Sequence, residues 1–383
     1  MTVPPVLRRT KPFLWPLVIV LLATTGYAIL RHKRDLVDFA VYRTAAERAL
    51  SAQPLYRPED GHYQYKYLPA FALAMAPFAW PPPEVARAAW FALSIALLAI
   101  FVRQVLRALP ARRMPERRLR WLTLLLLGKC YVKELAFGQT NLLFGIVLFS
   151  AVTSAQRRRP IAAGAMVAVA VFVKPYALLL LPWLAVSQGV TALCVFAVGL
   201  CTGLALPAVV YGWHGNLALI ADWYRTVTET TAPNLLLPEN ISIPTMWAKW
   251  LGVGPAASTL AAATSLAALA VAGAVLWRRK AITEPDYLEA GLLMLLVPLV
   301  SPQGWDYVLL LGTPAVVCLV DRLRDVSTSW RSATVLALAL VAFTIFDLMG
   351  RRLYSELMLM SVETLAGLTL VACLAHLRWR ALA

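Results

Sequence analysis

Long apolar runs alternate with short polar segments along nearly the whole chain. A helix needs about 20 apolar residues to cross a hydrocarbon layer about 30 Å thick. The first run, 13–30, follows Arg8, Arg9 and Lys11; because no small-residue cleavage pattern comes after it, we interpret it as a first span. Further runs of spanning or near-spanning length lie at 84–106, 121–136, 140–156, 160–174, 176–188, 190–211, 256–278, 286–301, 306–320, 331–349 and 357–376. The pattern predicts an all-α, polytopic integral membrane protein of about twelve transmembrane helices.

Several of these runs are too short to cross the membrane alone, so we expect them to pair, kink or re-enter. Proline ends a helix, and charges inside a membrane are costly. The broken elements should therefore lie around Lys174-Pro175 and between Lys129 and Gln139. We find no internal repeat in the sequence, and the whole chain, 1–383, is predicted as a single helical membrane domain.

The composition agrees with a membrane location. Hydrophobic residues make up 60% of the 383 and charged residues 15%, and the mean hydropathy is +0.67. Since soluble domains carry about 25% charged residues, a water-soluble fold is excluded. The formal net charge of +16 would suggest nucleic acid in a soluble protein. Here many basic residues stand in short clusters between apolar runs, which is a signal of membrane topology.

The basic clusters orient the chain. They lie at 8–11, 103–120, 157–159, 278–280, 322–324 and 378–380. With twelve spans and both termini inside, every cluster falls on the cytoplasmic side. The other side then receives two long loops, 31–83 and 212–250, and the turns 138–141, 301–307 and 350–356. Arg31, Lys33 and Arg34 would lie outside against the rule, and such an exception marks a candidate anion site.

The first long loop begins with an amphipathic helix. Apolar residues recur at helical spacing from Leu36 to Ala49, which predicts one face on the membrane surface and Arg43 in water. Asp38 stands among apolar neighbours at the helix start. Partial desolvation near the bilayer boundary suits this carboxylate for general-base catalysis. A helix-capping or solvated aspartate is the alternative.

Aromatic and basic residues continue along the outer segments. Closely spaced tyrosines with a lysine make a wall that can stack on sugar faces and bind phosphate, and a plain aromatic belt at the interface is the competing interpretation. These residues are Tyr63, Tyr65, Lys66 and Tyr67 in the first loop. Later segments add Asn240, Trp305, Asp306 and Tyr307. Asp306 fits two roles equally, ordering a substrate and capping a helix.

Three charged residues lie within or at the edge of apolar runs, where charges usually pair or line a cavity. Lys133 and Glu134 are adjacent, and we interpret them as a neutralising pair. Lys174 precedes a proline and has no acidic neighbour in the sequence. An unpaired lysine at that depth favours contact with a phosphate, and snorkelling to the interface is the alternative.

The order of these motifs is more specific than any one of them. In chain order they are Asp38-Phe-x-x-Tyr42, a Pro-Leu-Tyr, the stretch 63–69, Gly-Gln139-x-Asn141, Lys174-Pro, Asn240-x-Ser and Ser-Pro-x-x-Trp305. Together they resemble the bacterial glycosyltransferases of family 87, polytopic enzymes of the GT-C class. The resemblance covers about 36–308. It departs at Asp306-Tyr307, since related proteins often carry histidine after the tryptophan, and the acceptor is therefore left open.

The resemblance implies catalysis on the extracytoplasmic face of a bacterial plasma membrane, in cell-envelope synthesis. The donor would be a sugar on polyprenyl phosphate, by family default mannose, and the acceptor a lipid or glycan. An acidic residue of the first outer loop would be the catalytic base, which corresponds to Asp38. Phosphate and sugar contacts would correspond to Lys174, Tyr63, Tyr65 and Tyr67. We also predict substrate contacts at Tyr42, Lys66, Gln139, Asn141, Asn240, Trp305, Asp306 and Tyr307.

The chemistry needs few groups. A lipid phosphate is already a good leaving group, so one base suffices, and a β-linked donor should give an α-linked product by inversion. Lys174, Arg34 and Lys66 are the expected phosphate contacts. We expect no metal, because the sequence has no acidic cluster, and no cofactor besides the donor. The competing hypothesis is a transporter or flippase, which predicts inverted repeats and charges at the membrane midplane.

Overall fold

The computed structural model describes residues 36–380. The predicted first span, 13–30, and Arg34 therefore lie outside the described residues. The described part is helical, and no β-strand occurs in it. Its helices are α1 Val37–Leu50, α2 Pro69–Ala74, α3 Pro83–Ala108, α4 Glu116–Leu126, α5 Gly128–Phe137, α6 Asn141–Gln156, α7 Pro160–Val173, α8 Leu181–Ala205, α9 Ala208–Thr231, α10 Ile243–Leu251, α11 Pro255–Trp277, α12 Asp286–Val300, α13 Thr313–Asp321, α14 Thr328–Phe343, α15 Phe346–Leu359 and α16 Val362–Arg380. Short 3-10 helices include Pro58–Tyr63, Pro175–Leu180 and Asp306–Gly312.

The length and hydropathy of its helices confirm that the chain is an all-α membrane protein. Within 36–380, three segments are long and apolar enough to cross a membrane alone: α3, Pro175–Ala205 and α11. Two bent pairs bring the number to five if each is one span: α5 with α6, bent by 118°, and α14 with α15, bent by 108°. The first bend and the start of a 3-10 helix at Pro175 confirm the two expected interruptions.

The shorter helices are covered by neighbouring helices. α12 has 15 residues, is buried along almost its whole length, and packs against α6, α13 and α16. α7 packs between α6 and α8. A Cβ on Gly164 of α7 would stand 2.3 Å from the carbonyl oxygen of Ala192 on α8, so only glycine permits this approach. Small residues at helix contacts are typical of packing in membranes.

Several helices connect two ends of the molecule. At one end, called here the basic end, the Asp321 carboxylate accepts hydrogen bonds from the backbone N–H groups of Arg113 and Met114 at 3.0 and 2.8 Å. Arg279 pairs with Asp286 there at 2.8 Å. The opposite end, called the α1 end, holds α1 and the turns 138–140 and 301–305. Residues of the basic clusters 103–120 and 278–280 thus lie at the basic end.

Helix α1 lies against aromatic side chains of the protein. Phe39 stacks on Trp90 with ring centroids 5.2 Å apart and meets Phe78 edge-on at 5.7 Å. The expectation that the apolar face of α1 rests on the membrane surface is therefore wrong, because protein side chains cover it. Arg48 donates two hydrogen bonds to Asp60, at 2.5 and 2.8 Å, and ties the helix to the following loop.

Candidate active site

A cavity of about 790 Å³ lies at the α1 end. Its wall is built from the start of α1, the loop before α2, the α5–α6 turn, the end of α7 and the segment that follows α12. The residues expected from the sequence that line it are Asp38, Tyr42, Tyr63, Lys66, Tyr67, Gln139, Lys174, Trp305, Asp306 and Tyr307. The fold therefore brings together most of the candidate residues from distant parts of the chain.

Three candidate residues lie behind the wall of this cavity. Tyr65 is buried and donates its hydroxyl to the carbonyl oxygen of Leu68 at 3.2 Å. Asn240 is buried, and its amide donates to the carbonyl oxygen of Pro302 at 3.0 Å, which holds the turn after α12. Asn141 is buried beneath Lys174. Their direct contact with a ligand remains a prediction from the sequence.

Asp38 is the second residue of α1, and its side chain is half-buried. Its Oδ2 accepts a hydrogen bond from the Gln139 amide at 2.7 Å, and it caps no helix. No ion pair joins Asp38 to a lysine or arginine in residues 36–380. Burial raises the pKa of the Asp38 carboxyl above its ordinary value, against the opposing effects of Gln139, Lys174, Lys66 and, to a smaller extent, His62. The carboxylate is therefore accessible and basic.

Two tyrosines complete the surroundings of Gln139. The hydroxyls of Tyr42 and Tyr67 lie 2.8 Å apart, and they donate to Gln139 Oε1 at 3.2 and 3.4 Å. Their rings meet edge-on with centroids 4.9 Å apart. The Asp-Phe-x-x-Tyr spacing places Asp38 and Tyr42 on one face of α1 because residues four apart are neighbours on a helix.

Lys174 follows the last residue of α7 and reaches the cavity. Its ammonium donates to Asn141 Oδ1 at 2.7 Å, and the Asn141 amide donates to Glu134 Oε2 at 2.7 Å. The ammonium also lies 5.9 Å from the centroid of the Tyr67 ring. A neutral amide therefore separates the lysine from the nearest acid in this chain of contacts, and the ammonium keeps capacity for an anion.

Lys133 and Glu134 do not neutralise each other, which corrects the interpretation from their adjacency. Lys133 pairs with Asp306 at 2.6 Å, whereas Glu134 accepts from Asn141 and from the backbone N–H of Leu142. Successive residues of a helix point about 100° apart, so the two side chains face different neighbours.

Asp306 belongs to a group of four charges, three of them buried and the fourth, Lys133, half-buried. Its Oδ2 accepts from Lys133 and lies 3.9 Å from the ammonium of Lys129, which in turn pairs with Glu363. The group contains two positive and two negative side chains, and it joins α5 to the start of α16. Asp306 caps no helix by a side-chain hydrogen bond, so its observed role is to hold these two lysines.

Lys66 is a second ammonium at the cavity wall. The described residues contain no ion pair to it, and its backbone carbonyl oxygen accepts from the Trp223 indole at 3.1 Å. Burial lowers the pKa of Lys66, which Asp38 partly offsets. Lining residues that were not named as candidates include His62, Gln64, Tyr176, Trp223, Glu239 and Gln303. Gln303 stands inside the Ser-Pro-x-x-Trp motif, and that position was the available signal.

The cavity combines three kinds of group. A carboxylate of raised pKa can take a proton from an alcohol. Ammonium groups can hold a departing anion by charge-assisted hydrogen bonds. Aromatic faces can pack on sugar rings. The arrangement is suited to moving a group from an anionic carrier to a hydroxyl.

The comparison with protein families agrees with this chemistry. The family model described as glycosyltransferase family 87 matches residues 65–302, which is more than half of the chain. No curated protein and no solved structure gives a significant match. The match begins after Asp38, and the structure shows that Asp38 contacts a matched residue, Gln139.

Proposed function

The chain belongs to glycosyltransferase family 87, and we propose that it transfers a sugar from a polyprenyl-phosphate donor to a lipid or glycan acceptor with Asp38 as catalytic base. Mannose is the proposed sugar. The reaction takes place on the extracytoplasmic face of a bacterial plasma membrane, in assembly of the cell envelope. The enzyme uses no cofactor besides the donor.

The observation that carries this proposal is the setting of Asp38. Its carboxylate stands in a cavity, is held by a neutral amide at 2.7 Å, and is near two lysines with which it forms no ion pair. A base must be unprotonated and must keep a free oxygen for the acceptor hydroxyl. Asp38 keeps such an oxygen, since Gln139 uses only one of its two.

The reaction then divides between two kinds of residue. Asp38 removes the proton of the acceptor hydroxyl while that oxygen attacks the anomeric carbon of the sugar. The bond from that carbon to the lipid phosphate breaks, and Lys66 and Lys174 hold the departing phosphate. Direct attack inverts the anomeric configuration, so a β-linked donor gives an α-linked product. Tyr63, Tyr67 and Trp305 provide aromatic surface for the sugar ring.

The lining supports a lipid-linked donor. Besides its polar groups, the cavity has apolar wall residues on several elements, among them Val173, Val227, Leu237, Val297 and Pro298. Burial of an isoprenoid chain against such a wall is favourable by about 25 cal/mol for each Å² of apolar surface. A lysine near an apolar wall matches a molecule that carries a phosphate at the end of a hydrocarbon chain.

A panel of donors tests the proposal. Membranes that contain the full-length chain are incubated with labelled polyprenyl-phosphate mannose, glucose or arabinofuranose, and the product is identified by mass. We expect a sugar-bearing lipid or glycan with one of these donors and none from membranes carrying Asp38→Asn. Transfer from a soluble nucleotide sugar only would contradict the proposed donor class.

The proposed side of the membrane has an independent test. A reporter fused after Arg57 should be exposed on the extracytoplasmic side, since this residue lies in the loop that precedes the cavity-lining tyrosines. A cytoplasmic reporter at this position would place the cavity on the wrong side for this proposal. The fusion result does not depend on enzyme activity.

A further inference from the structure

The Gln139 amide is surrounded by polar partners inside the protein. Its Nε2 donates to Asp38 Oδ2 at 2.7 Å and to the Tyr307 hydroxyl at 3.2 Å. Its Oε1 accepts from Tyr42 at 3.2 Å and from Tyr67 at 3.4 Å. A glutamine amide has two donor hydrogens, and the contacts with Asp38 and Tyr307 use both. The two tyrosine hydroxyls, which also lie 2.8 Å from each other, cover the amide oxygen.

The orientation of the amide follows from its partners. An ionised carboxylate only accepts hydrogen bonds, so the nitrogen must face Asp38 and the oxygen must face the two tyrosines. The Gln139 side chain is only 8% exposed, which leaves it little room to turn. The tyrosine hydroxyls therefore hold the amide, and the amide holds the carboxylate.

The backbone beside Gln139 is equally constrained. Gly138 ends α5 with φ of +69°, in the left-handed region that favours glycine, and its carbonyl oxygen accepts from the Trp90 indole at 2.9 Å. A Cβ on Gly138 would stand 2.9 Å from the Cβ of Phe39 on α1. Helix α1 and the α5–α6 turn thus touch directly, and this contact sets the distance from Gln139 to Asp38.

We propose that Gln139 is a positioning residue, which holds the Asp38 carboxylate in one orientation and in its ionised form, and that it is not a substrate contact. This proposal rests on the role of Asp38 as base. It assigns Tyr42 and Tyr67 a shared role in orienting Gln139, in addition to any packing of Tyr67 on the sugar.

The charges around Asp38 give the expected pH effect. His62 and Lys66, in the loop before α2, and Lys174, after α7, face it and lower its pKa, while burial raises it. Tyr42, Tyr67 and Tyr307 are its phenolic neighbours. The hydrogen bond from Gln139 also lowers the pKa of Asp38. Loss of this hydrogen bond should therefore raise that pKa, and more alkaline conditions should be needed to ionise the base.

The test compares Gln139→Leu with the unaltered full-length enzyme in steady-state assays across pH, with polyprenyl-phosphate sugar as donor. We expect kcat to fall about tenfold, the donor KM to change less than about threefold, and the acid limb of the profile to move about one pH unit upward. Gln64→Leu is the matched control, because Gln64 also lines the cavity but has no hydrogen bond with Asp38 among the described residues. Its acid limb should stay in place.

The outcomes separate this proposal from the one it rests on. An unmoved acid limb in Gln139→Leu, or a raised donor KM with normal kcat, would overturn the positioning role and return Gln139 to substrate contact. Normal turnover in Asp38→Asn would overturn the base role itself. If Gln139→Leu does not fold, Gln139→Asn is measured instead. Asparagine keeps an amide but is shorter by one methylene group, and the acid limb of the pH profile should move in the same direction.

Discussion

Two aspartates line the same cavity, and their surroundings differ in kind. Asp38, at the start of α1, accepts from a neutral glutamine amide at 2.7 Å and forms no ion pair within the described residues. Asp306, after the Ser-Pro-x-x-Trp motif, is 1% exposed and accepts from the ammonium of Lys133 at 2.6 Å, with Lys129 at 3.9 Å. The Asp38 carboxylate is held by a neutral amide, and the Asp306 carboxylate is held by two ammonium groups.

The difference shows which carboxylate is suited to proton transfer. An ion pair with Lys133 fixes the Asp306 carboxylate, whereas no ion pair among the described residues engages Asp38. Gln139 orients the Asp38 carboxylate, and burial raises its pKa although the hydrogen bond from Gln139 lowers it. The region around Asp38 is therefore suited to catalysis, and the region around Asp306 is suited to holding α5, α16 and the turn after α12 together.

Asp38→Asn against Asp306→Asn gives the largest expected contrast. Loss of a general base costs about 10²–10⁴-fold, so kcat of Asp38→Asn should fall by that factor while the protein still inserts and folds. Asp306→Asn should mainly lower the thermal unfolding temperature. Its kcat per folded molecule should fall much less than that of Asp38→Asn. The measurements are single-turnover sugar transfer and thermal unfolding in detergent. Equal losses of kcat in the two variants would erase the distinction between the two aspartates.

Glu363→Gln probes the buried charges alone. Removal of one partner of a buried ion pair is costly, and here it leaves Lys129 with only Asp306, 3.9 Å away, as a negative neighbour. The free energy of unfolding should fall by about 3–5 kcal/mol. Glu356→Gln is the matched control, because its ion pair with Arg352 is exposed and should contribute less than about 1 kcal/mol. Denaturant unfolding monitored by tryptophan fluorescence measures both variants. A loss from Glu363→Gln no larger than the control would show that this group does not stabilise the fold.

Lys174→Met tests the proposed contact between Lys174 and the donor phosphate. One charge-assisted hydrogen bond to phosphate is removed, so the donor KM should rise about tenfold while the acceptor KM changes little. Lys280→Met, an exposed lysine at the basic end, should leave both constants unchanged. Initial rates at varied donor and acceptor concentrations provide the values. Unchanged dependence on donor concentration would remove Lys174 from the phosphate site.

The pH dependence is the smallest of the expected effects. Burial raises the pKa of Asp38 above 3.8, and a base works only when it is unprotonated. Activity should therefore be full at alkaline pH and fall as pH drops through a value above that of an ordinary aspartate. Profiles of kcat/KM in the unaltered enzyme and in Asp306→Asn should share this acid limb. A limb that disappears in Asp306→Asn would contradict the assignment of this limb to Asp38.

Predictions from neighbours in the chain succeeded where the property is local. Lys174 lacks an acid near it in sequence, and in the structure its ammonium contacts an asparagine. The break at Pro175 followed from proline itself. The prediction that Lys133 and Glu134 neutralise each other was wrong, because these adjacent residues lie on different faces of α5. The apolar face of α1 was assigned to the membrane surface, because an amphipathic pattern does not distinguish lipid from a buried aromatic cluster.

The sequence by itself determined that this chain lies in a membrane, that its spans are helical, and that Asp38 and Lys174 stand in apolar surroundings. Hydropathy and the cost of burying a charge depend on near neighbours, so a linear pattern records them. Tertiary structure alone decided that Asp38 meets an amide 101 positions away and that Asp306 meets a lysine 173 positions away. Which helix faces come opposite one another depends on packing of the whole bundle, and these two partners make one carboxylate a candidate base and the other a structural anchor.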